Sequence, residues 1–338
     1  MPTTNLLNYA TLIDVVQEYT STDATAQYLW AAQVLNRKCP LIQMMPMVPS
    51  NQILSNIGSR DTVIGTAQTR SFNYGVPVTV TKSAPFVDPI ALFEDYSEVD
   101  KSLWEIQNDP NAWRQNQDRR KVEGLVQGVE NMLIYGNINT SPGGFNGLAT
   151  RFYSLTYRPN GDTSWPYNVL SGSGTGSDLT SVYALELGPD KVFCTFPRNT
   201  AGGLRIRDLG EDTKVDAAGG LYQVLRTHFQ WYVGLAIADE RCVQRYCNIE
   251  STGTTNIFSF DTLLAAIGRL PERGSDPGTV IVCNRTIKTQ LDIAAMNKAN
   301  NMLTIDSTGS FFGQHVTRFM GIPILVCDKI LDTESTVS

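Results

Sequence analysis

Apolar residues recur at helical spacing in LIDVVQEY and again in ATAQYLWAAQVLNRK, with Ser21, Thr22 and Asp23 between them as N-cap candidates. The next stretch, KCPLIQMMPMVPSNQ, interrupts helix at Pro40, Pro46 and Pro49. Two short helices followed by a Met- and Pro-rich strip cannot bury their own apolar face. Residues 1–49 are therefore predicted to form an arm that lies on something else, with Met44, Met45 and Met47 among its contacts. From residue 50 to 90 the period falls to two. In RDTVIGTAQTRSFNYGVPVTVTKSAPFVDP the alternation is clearest at Val76, Val78 and Val80, and Asn73 to Gly75 supply turn residues. That pattern predicts a two-stranded ribbon, and a lone hairpin is marginal in water, so it needs a partner surface.

The period returns to 3.6 after residue 100. FEDYSEVDKSLWEIQNDPNAW is acidic and reads as helical in its middle, with Asp109 and Pro110 in cap-then-N1 order. From Trp113 to Tyr135 one apolar stripe runs through Val122, Leu125, Val126, Val129, Met132 and Leu133. Glu123, Gln127, Glu130 and Asn131 are assigned to the opposite face. Such a helix is about 35 Å long at 1.5 Å rise per residue. Gly136 is positioned for a left-handed stop. Gly143, Gly144 and Gly147 follow in SPGGFNGLAT and predict a sharp turn with positive φ.

Residues 151–338 mix the two periods. VYALEL and KVFCTF read as strands about a Gly188-Pro189-Asp190 turn, LYQVLRTHFQWYVGLAIAD and CVQRYCNI as another strand pair. NTAGGLRIRDLGEDTKVDAAGG is turn-rich and polar, and is assigned to the surface. FSFDTLLAAIGRLPE is a helix capped by Asp261, GTVIVCN a buried strand, TIKTQLDIAAMNKANN a second helix and GIPILVCD a closing strand. The fold class is α+β.

Composition narrows the chemistry. A hydrophobic fraction of 42% and a charged fraction of 18% are ordinary for a soluble chain of 338 residues, and the net charge of −6 without a basic block argues against a whole-surface nucleic-acid binder. Arg119, Arg120 and Lys121 are the one local basic group. The N-terminus lacks a basic region followed by an apolar run, and no stretch of about 18 apolar residues exists, so synthesis in the cytosol without a membrane span is expected. Six cysteines with one loose pair, Cys242 and Cys247, read as buried thiols rather than a zinc site.

The glycine loop fails as a phosphate site. It has no lysine, and it leaves a helix C-terminus, where the dipole repels anions. SGSGTGSD lacks the third glycine of a dinucleotide fingerprint and reads as a linker. His228, inside a strand, and His315 carry no catalytic motif. Glu94, Asp95, Glu98 and Asp100 form an acidic clump that reads as a solvated face; the competing reading is a carboxylate hydrolase.

Arm, ribbon, long helix, glycine loop and compact α+β region, in that order, resemble the major capsid proteins of tailed bacteriophages with the HK97-type fold. TAQTRSFNYGV, VTVTKSA, LFEDYSEVDKSL, ENMLIYGNINTSPGGFNGLATRFYSL, GPDKVFCTFPRNTAGGLRIRDLG, RTHFQWYVGLAIADERCVQRYCNI and HVTRFMGIPILVCDKIL are similar to a podovirus-type branch of that family. The resemblance implies an arm over 1–49, an extended hairpin (E-loop) over 50–90, and a peripheral domain over 91–150 whose spine helix covers 113–135. It implies a mainly axial domain over 151–338, with a late segment returning to the peripheral domain. It further implies hexamers and pentamers of one chain in an icosahedral shell, loosely enclosing double-stranded DNA, with scaffolding, portal or cement proteins as further partners, residence in the virion, and neither cofactor nor enzyme activity. Arg119, Arg120 and Lys121 are expected to pair with acids of an adjacent subunit. Some relatives crosslink Lys to Asn between subunits; Lys82 is the one ribbon lysine, and nothing supplies its asparagine. An encapsulin-like compartment shares the fold and is the alternative of the same shape.

Overall fold

A computed structural model describes residues 40–106, 109–159, 165–215, 218–296, 303–304 and 318–338. The expected helices of residues 1–39, His315 and Cys39 lie outside the described residues. In chain order the elements are helix α1 (Pro40–Met44), strands β1 (Met47–Pro49), β2 (Ser55–Val63), β3 (Lys82–Pro89) and β4 (Ala91–Asp100), helices α2 (Lys101–Glu105), α3 (Pro110–Tyr135) and α4 (Leu148–Arg151). Strands β5 (Val169–Ser171), β6 (Leu179–Glu186), β7 (Val192–Phe196), β8 (Leu204–Val215) and β9 (Leu221–Ile237) follow, then β10 (Val243–Glu250), helix α5 (Phe260–Gly268) and strand β11 (Thr279–Cys283). Helix α6 (Arg285–Met296) and strands β12 (Leu303–Thr304), β13 (Arg318–Phe319) and β14 (Ile322–Val326) close the fold.

Three sheets result. Strands β2 and β3 form the ribbon alone. A second sheet runs β1-β7-β9-β4, with β8 also on β9; the long β9 pairs β4 through residues 224–233, β8 through 221–231 and β7 through 234–237. The third has seven strands in the order β12-β13-β14-β11-β6-β10-β5. Its two faces follow from the period of two in a strand. Tyr183, Leu185, Val280 and Val282 join the core shared with α3 and β9. Val182, Ala184, Ile281 and Cys283 face the other way, against Leu263 and Ile267 of α5 and Ile287 and Leu291 of α6. A strand buried on both faces reads as a continuous apolar run, as VIVC does.

Helix α3 starts as its sequence dictates: the Asp109 carboxylate accepts from Ala112 N at 3.1 Å and Pro110 occupies the first turn. Val122, Leu125, Val126, Val129 and Leu133 are buried along the expected stripe. Glu130 departs from its assigned polar face. It is 2% exposed and accepts a hydrogen bond from the Cys327 thiol at 2.8 Å, because the closing segment packs over that side of the helix.

The acidic segment is helical in its middle, at Lys101–Glu105, after the strand Ala91–Asp100, which is zipped to β9 over ten residues. Three other expectations are corrected. The polar stretch assigned to surface turns is the twelve-residue strand β8, an outer strand exposed along most of its length. Ser259, not Asp261, caps α5, its hydroxyl accepting from Thr262 N. The strip after Pro40 is not wholly an arm for a neighbour. Pro40 opens α1, and Leu41, Ile42, Met45 and Met47 are buried in this chain's own core, leaving Met44 half-buried at its margin.

Candidate assembly surfaces

The ribbon leaves the body at a root fixed by two arginines. Arg60 of β2 pairs with Glu240 at 2.6 Å, with both side chains largely buried, and its guanidinium also donates to the Ile237 carbonyl. The same guanidinium lies 4.0 Å over the Phe86 ring on β3. Phe86 in turn covers Gly58, the residue directly across the ladder, where any Cβ would fall on the ring. Arg151 of α4 pairs with Asp88 at 2.7 Å, and Asp88 also accepts from Ile237 N at 3.2 Å. Both clamps converge on the end of β9.

Beyond the root the ribbon is bare. The β2–β3 ladder ends at the Val63–Lys82 pair, short of the predicted extent, and Val76, Val78 and Val80 lie outside it. All three are exposed, as are Ile64, Phe72 and Tyr74, with Val78 93% exposed. The only backbone hydrogen bond within residues 64–81 joins Tyr74 N to the Ser71 carbonyl at 3.3 Å among the described residues. Side chains this apolar are not stable facing water, so the segment carries an unmet burial demand.

Helix α3 packs across the inner face of β4 and β9, and its cations find partners at home. Lys121 pairs with Asp95 at 3.3 Å and Arg119 with Glu123 at 3.6 Å, while Arg120 is exposed. Arg114 reaches Asp208 at 2.6 Å. The acidic clump is partnered likewise: Glu98 meets Lys214 and Arg226, Glu94 shares a hydrogen bond with His228 at 2.5 Å, and Asp100 caps α2 through Ser102 N. The hydrogen bond from Lys214 holds the Glu98 carboxyl below the ordinary range. Held by its two cations, Glu98 is a poor general acid. His228 stacks on Tyr96 at 4.5 Å.

The described cysteines are buried and free. Burial pushes the thiol of Cys194 up to about 12 and that of Cys247 up to about 11, so neither is a thiolate at neutral pH. Among the described residues no group of His, Cys, Asp and Glu could hold a metal ion, and no helix is long and apolar enough to cross a membrane.

The turn after α3 holds the predicted corner, by a different mechanism. Gly136 has φ −51°, and neither it nor Gly143, Gly144 or Gly147 has positive φ. What demands glycine is close approach. Gly147 N donates to the Gly136 carbonyl at 2.9 Å, and a Cβ on Gly147 would sit 2.6 Å from Met132 O and 2.7 Å from Gly136 N. Gly144 is tight against Met132, whereas a Cβ at Gly143 would meet nothing. The fold-back seats Phe145, Leu148 and Phe152 in the core.

The resemblance implies a late segment returning to the peripheral domain but names no residues that hold it; in the structure residues 327–338 pack against the long helix and the sheet. Tyr135 at the end of α3 donates to Glu334 at 2.5 Å and accepts from Leu331 N at 2.9 Å. Glu334, 8% exposed, pairs with Arg245 of β10, 4% exposed, at 3.0 Å and accepts from Ser181 of β6. Val337 and Asn248 exchange two hydrogen bonds. The segment ties the long helix to the seven-stranded sheet.

A ribbon clamped at its root and bearing a bare apolar outer segment is a shape suited to packing on other subunits. The family model "Major capsid protein GP7" matches residues 23–338, and the chain belongs to that family. It is a structural capsid protein of the HK97 type, not an enzyme, and it forms the icosahedral shell of a phage virion. No curated protein matches the chain. A cryo-EM structure of bacteriophage Epsilon15 is similar at 26% identity and TM-score 0.64, covering 86% of this chain and 87% of that one. The capsid of bacteriophage JBD30 matches at 13% identity and TM-score 0.49, over 84% and 88%. The encapsulin complex SrpI of Synechococcus elongatus is more remote, at 10% identity and TM-score 0.40, over 71% and 92%.

Proposed function

We propose that this chain builds hexamers and pentamers of a head that encloses double-stranded DNA, and that its ribbon, residues 50–90, lies across a neighbouring copy. The observation that carries the reading is the bare apolar segment of the ribbon, where Ile64, Phe72, Tyr74, Val76, Val78 and Val80 are exposed together. Each side chain buried there on assembly contributes about 1.5–3 kcal/mol, and many copies in a closed shell multiply weak contacts. Scaffolding, portal and cement proteins are the further partners this reading invokes, with assembly in the host cytoplasm. The half-buried Met44 and the exposed Arg120 are secondary contact candidates. Domains follow as arm, ribbon, peripheral part with α3, and axial part with the seven-stranded sheet.

The test replaces Val76, Val78 and Val80 together by serine. The soluble subunit is expected to melt as the parent does, since none of the three is buried, while closed shells seen by negative stain and sedimentation fall at least tenfold. Shell yields equal to the parent's would remove the ribbon from the contact. A parent chain that stays monomeric with every scaffold supplied would remove the shell itself.

A further inference from the structure

Helix α3 is held to the sheet in two different ways along its length. From Val122 onward its inward side chains are buried, whereas no residue of its first half, Pro110 to Lys121, is buried. That half is fastened by polar contacts instead. Arg114 divides its guanidinium between Asp208 of β8 at 2.6 Å and Thr227 of β9 at 3.1 Å. The Thr227 hydroxyl donates to Asp118 Oδ2 at 3.3 Å, and Lys121 reaches Asp95 of β4 at 3.3 Å.

Asp118 is the weak member of this seam. It is half-buried, and its Oδ1 is enclosed with no hydrogen-bond donor among the described residues. The groups facing it are Ser97 of β4, Thr227 of β9, Asp208 of β8 and, one turn back on its own helix, Arg114. The two hydroxyls are neutral, Asp208 is a carboxylate like Asp118 itself, and Arg114 is already committed to Asp208. Lys121 is turned to Asp95, Arg119 to Glu123, and Lys101 of α2 to Glu211 at 2.9 Å, while Glu105 of α2 is exposed. A carboxylate so placed has no cation of its own and one oxygen cut off from water, which disfavours its charged form. Burial above all pushes the Asp118 carboxyl above its ordinary range, against the hydrogen bond from Ser97 and the charge of Arg114.

We propose that the first half of α3 is a pH-sensitive fastening, seated on β4 and β9 while Asp118 holds a proton and loosened when Asp118 ionises. The proton removes the bare charge and makes one carboxyl oxygen a donor, which the Thr227 oxygen can accept. A carboxyl raised in the folded state stabilises fully below its unfolded value, and that contribution fades as pH rises through the folded value. The fastening is therefore tighter in mild acid than at neutrality. Its sense is opposite to that of Glu98 and Asp208, whose carboxyls lie below the ordinary range. The device belongs to the single subunit and does not depend on the ribbon contact.

Asp118→Asn, a neutral side chain of the same shape, tests it in the soluble subunit. The variant is expected to melt above the parent at about pH 7.5, and the gap to close towards about pH 5 as the parent takes up its proton. A gap that stays constant over that range, or widens in acid, overturns the proposal. Amide hydrogen exchange reads the same element in the parent without any substitution. Corrected for the intrinsic rate, protection across residues 110–121 is expected to rise roughly threefold or more between about pH 7.5 and about pH 5. Protection that stays level or falls overturns the proposal as well.

Discussion

At the scale of single residues, the two glycines Gly143 and Gly147 look alike in sequence and differ entirely in space. Adding a Cβ at Gly147 drives it into the backbone at the end of α3, which cannot yield as a flexible side chain could. Gly147→Ala is expected to cost about 1–3 kcal/mol, the range for forced overpacking, and Gly143→Ala to cost nothing measurable. Thermal melts of the two soluble variants decide it; equal melting points would mean the corner relaxes freely. The glycine count was legible as a corner, but its mechanism was not, because close approach between residues 132, 136 and 147 is a tertiary fact. The same holds for the Met strip. Its apolarity was visible in KCPLIQMMPMVPSNQ, yet only the fold shows Met45 against Cys194 inside the chain.

Among elements, α3 was the most legible, since cap, N1 proline and apolar stripe all agree on one helix. Strand β8 was the least. An outer strand exposed on most of its length carries no alternation, so LRIRDLGEDTKV looks like loop until β9 is placed beside it. The residues that tie the late segment down were invisible for a related reason, as they act through buried partners far apart in sequence, above all the pair of residues 245 and 334. Removing one partner of such a pair leaves a bare charge in the interior and costs about 3–5 kcal/mol. Glu334→Leu is expected to lower subunit stability by that amount in chemical denaturation, and Arg245→Met in the same chain to recover much of it. An unaltered midpoint for the single variant would show that water already reaches Arg245.

For the whole molecule, net charge and local pairing act together. The chain carries −6 overall, and Arg60, Arg114, Lys121, Arg151, Lys214, Arg226 and Arg245 are each committed to a carboxylate of the same chain. On the proposed reading, the overall negative charge keeps the grip on enclosed DNA loose. Micromolar subunit is expected to leave a DNA duplex unretarded in a gel at about 0.15 M salt; a salt-dependent retarded band would reveal a basic surface formed elsewhere. The order of ribbon, helix and mixed sheet along the chain was readable because each has its own period. Their mutual placement was not, because it depends on β9 serving three neighbours.

That strand has a mechanical consequence. Its last residue, Ile237, is gripped by Arg60 and Asp88 at the ribbon root, while its first, Leu221, stands exposed at the far tip. Seventeen residues at about 3.3 Å each make a stiff beam of about 55 Å. A tilt of about 5° at the gripped end swings the tip through about 5 Å on that length. Because β4, β7 and β8 are all laddered onto this strand, a tilt at its gripped end carries its three neighbours with it, and the ribbon root is where such a tilt would begin.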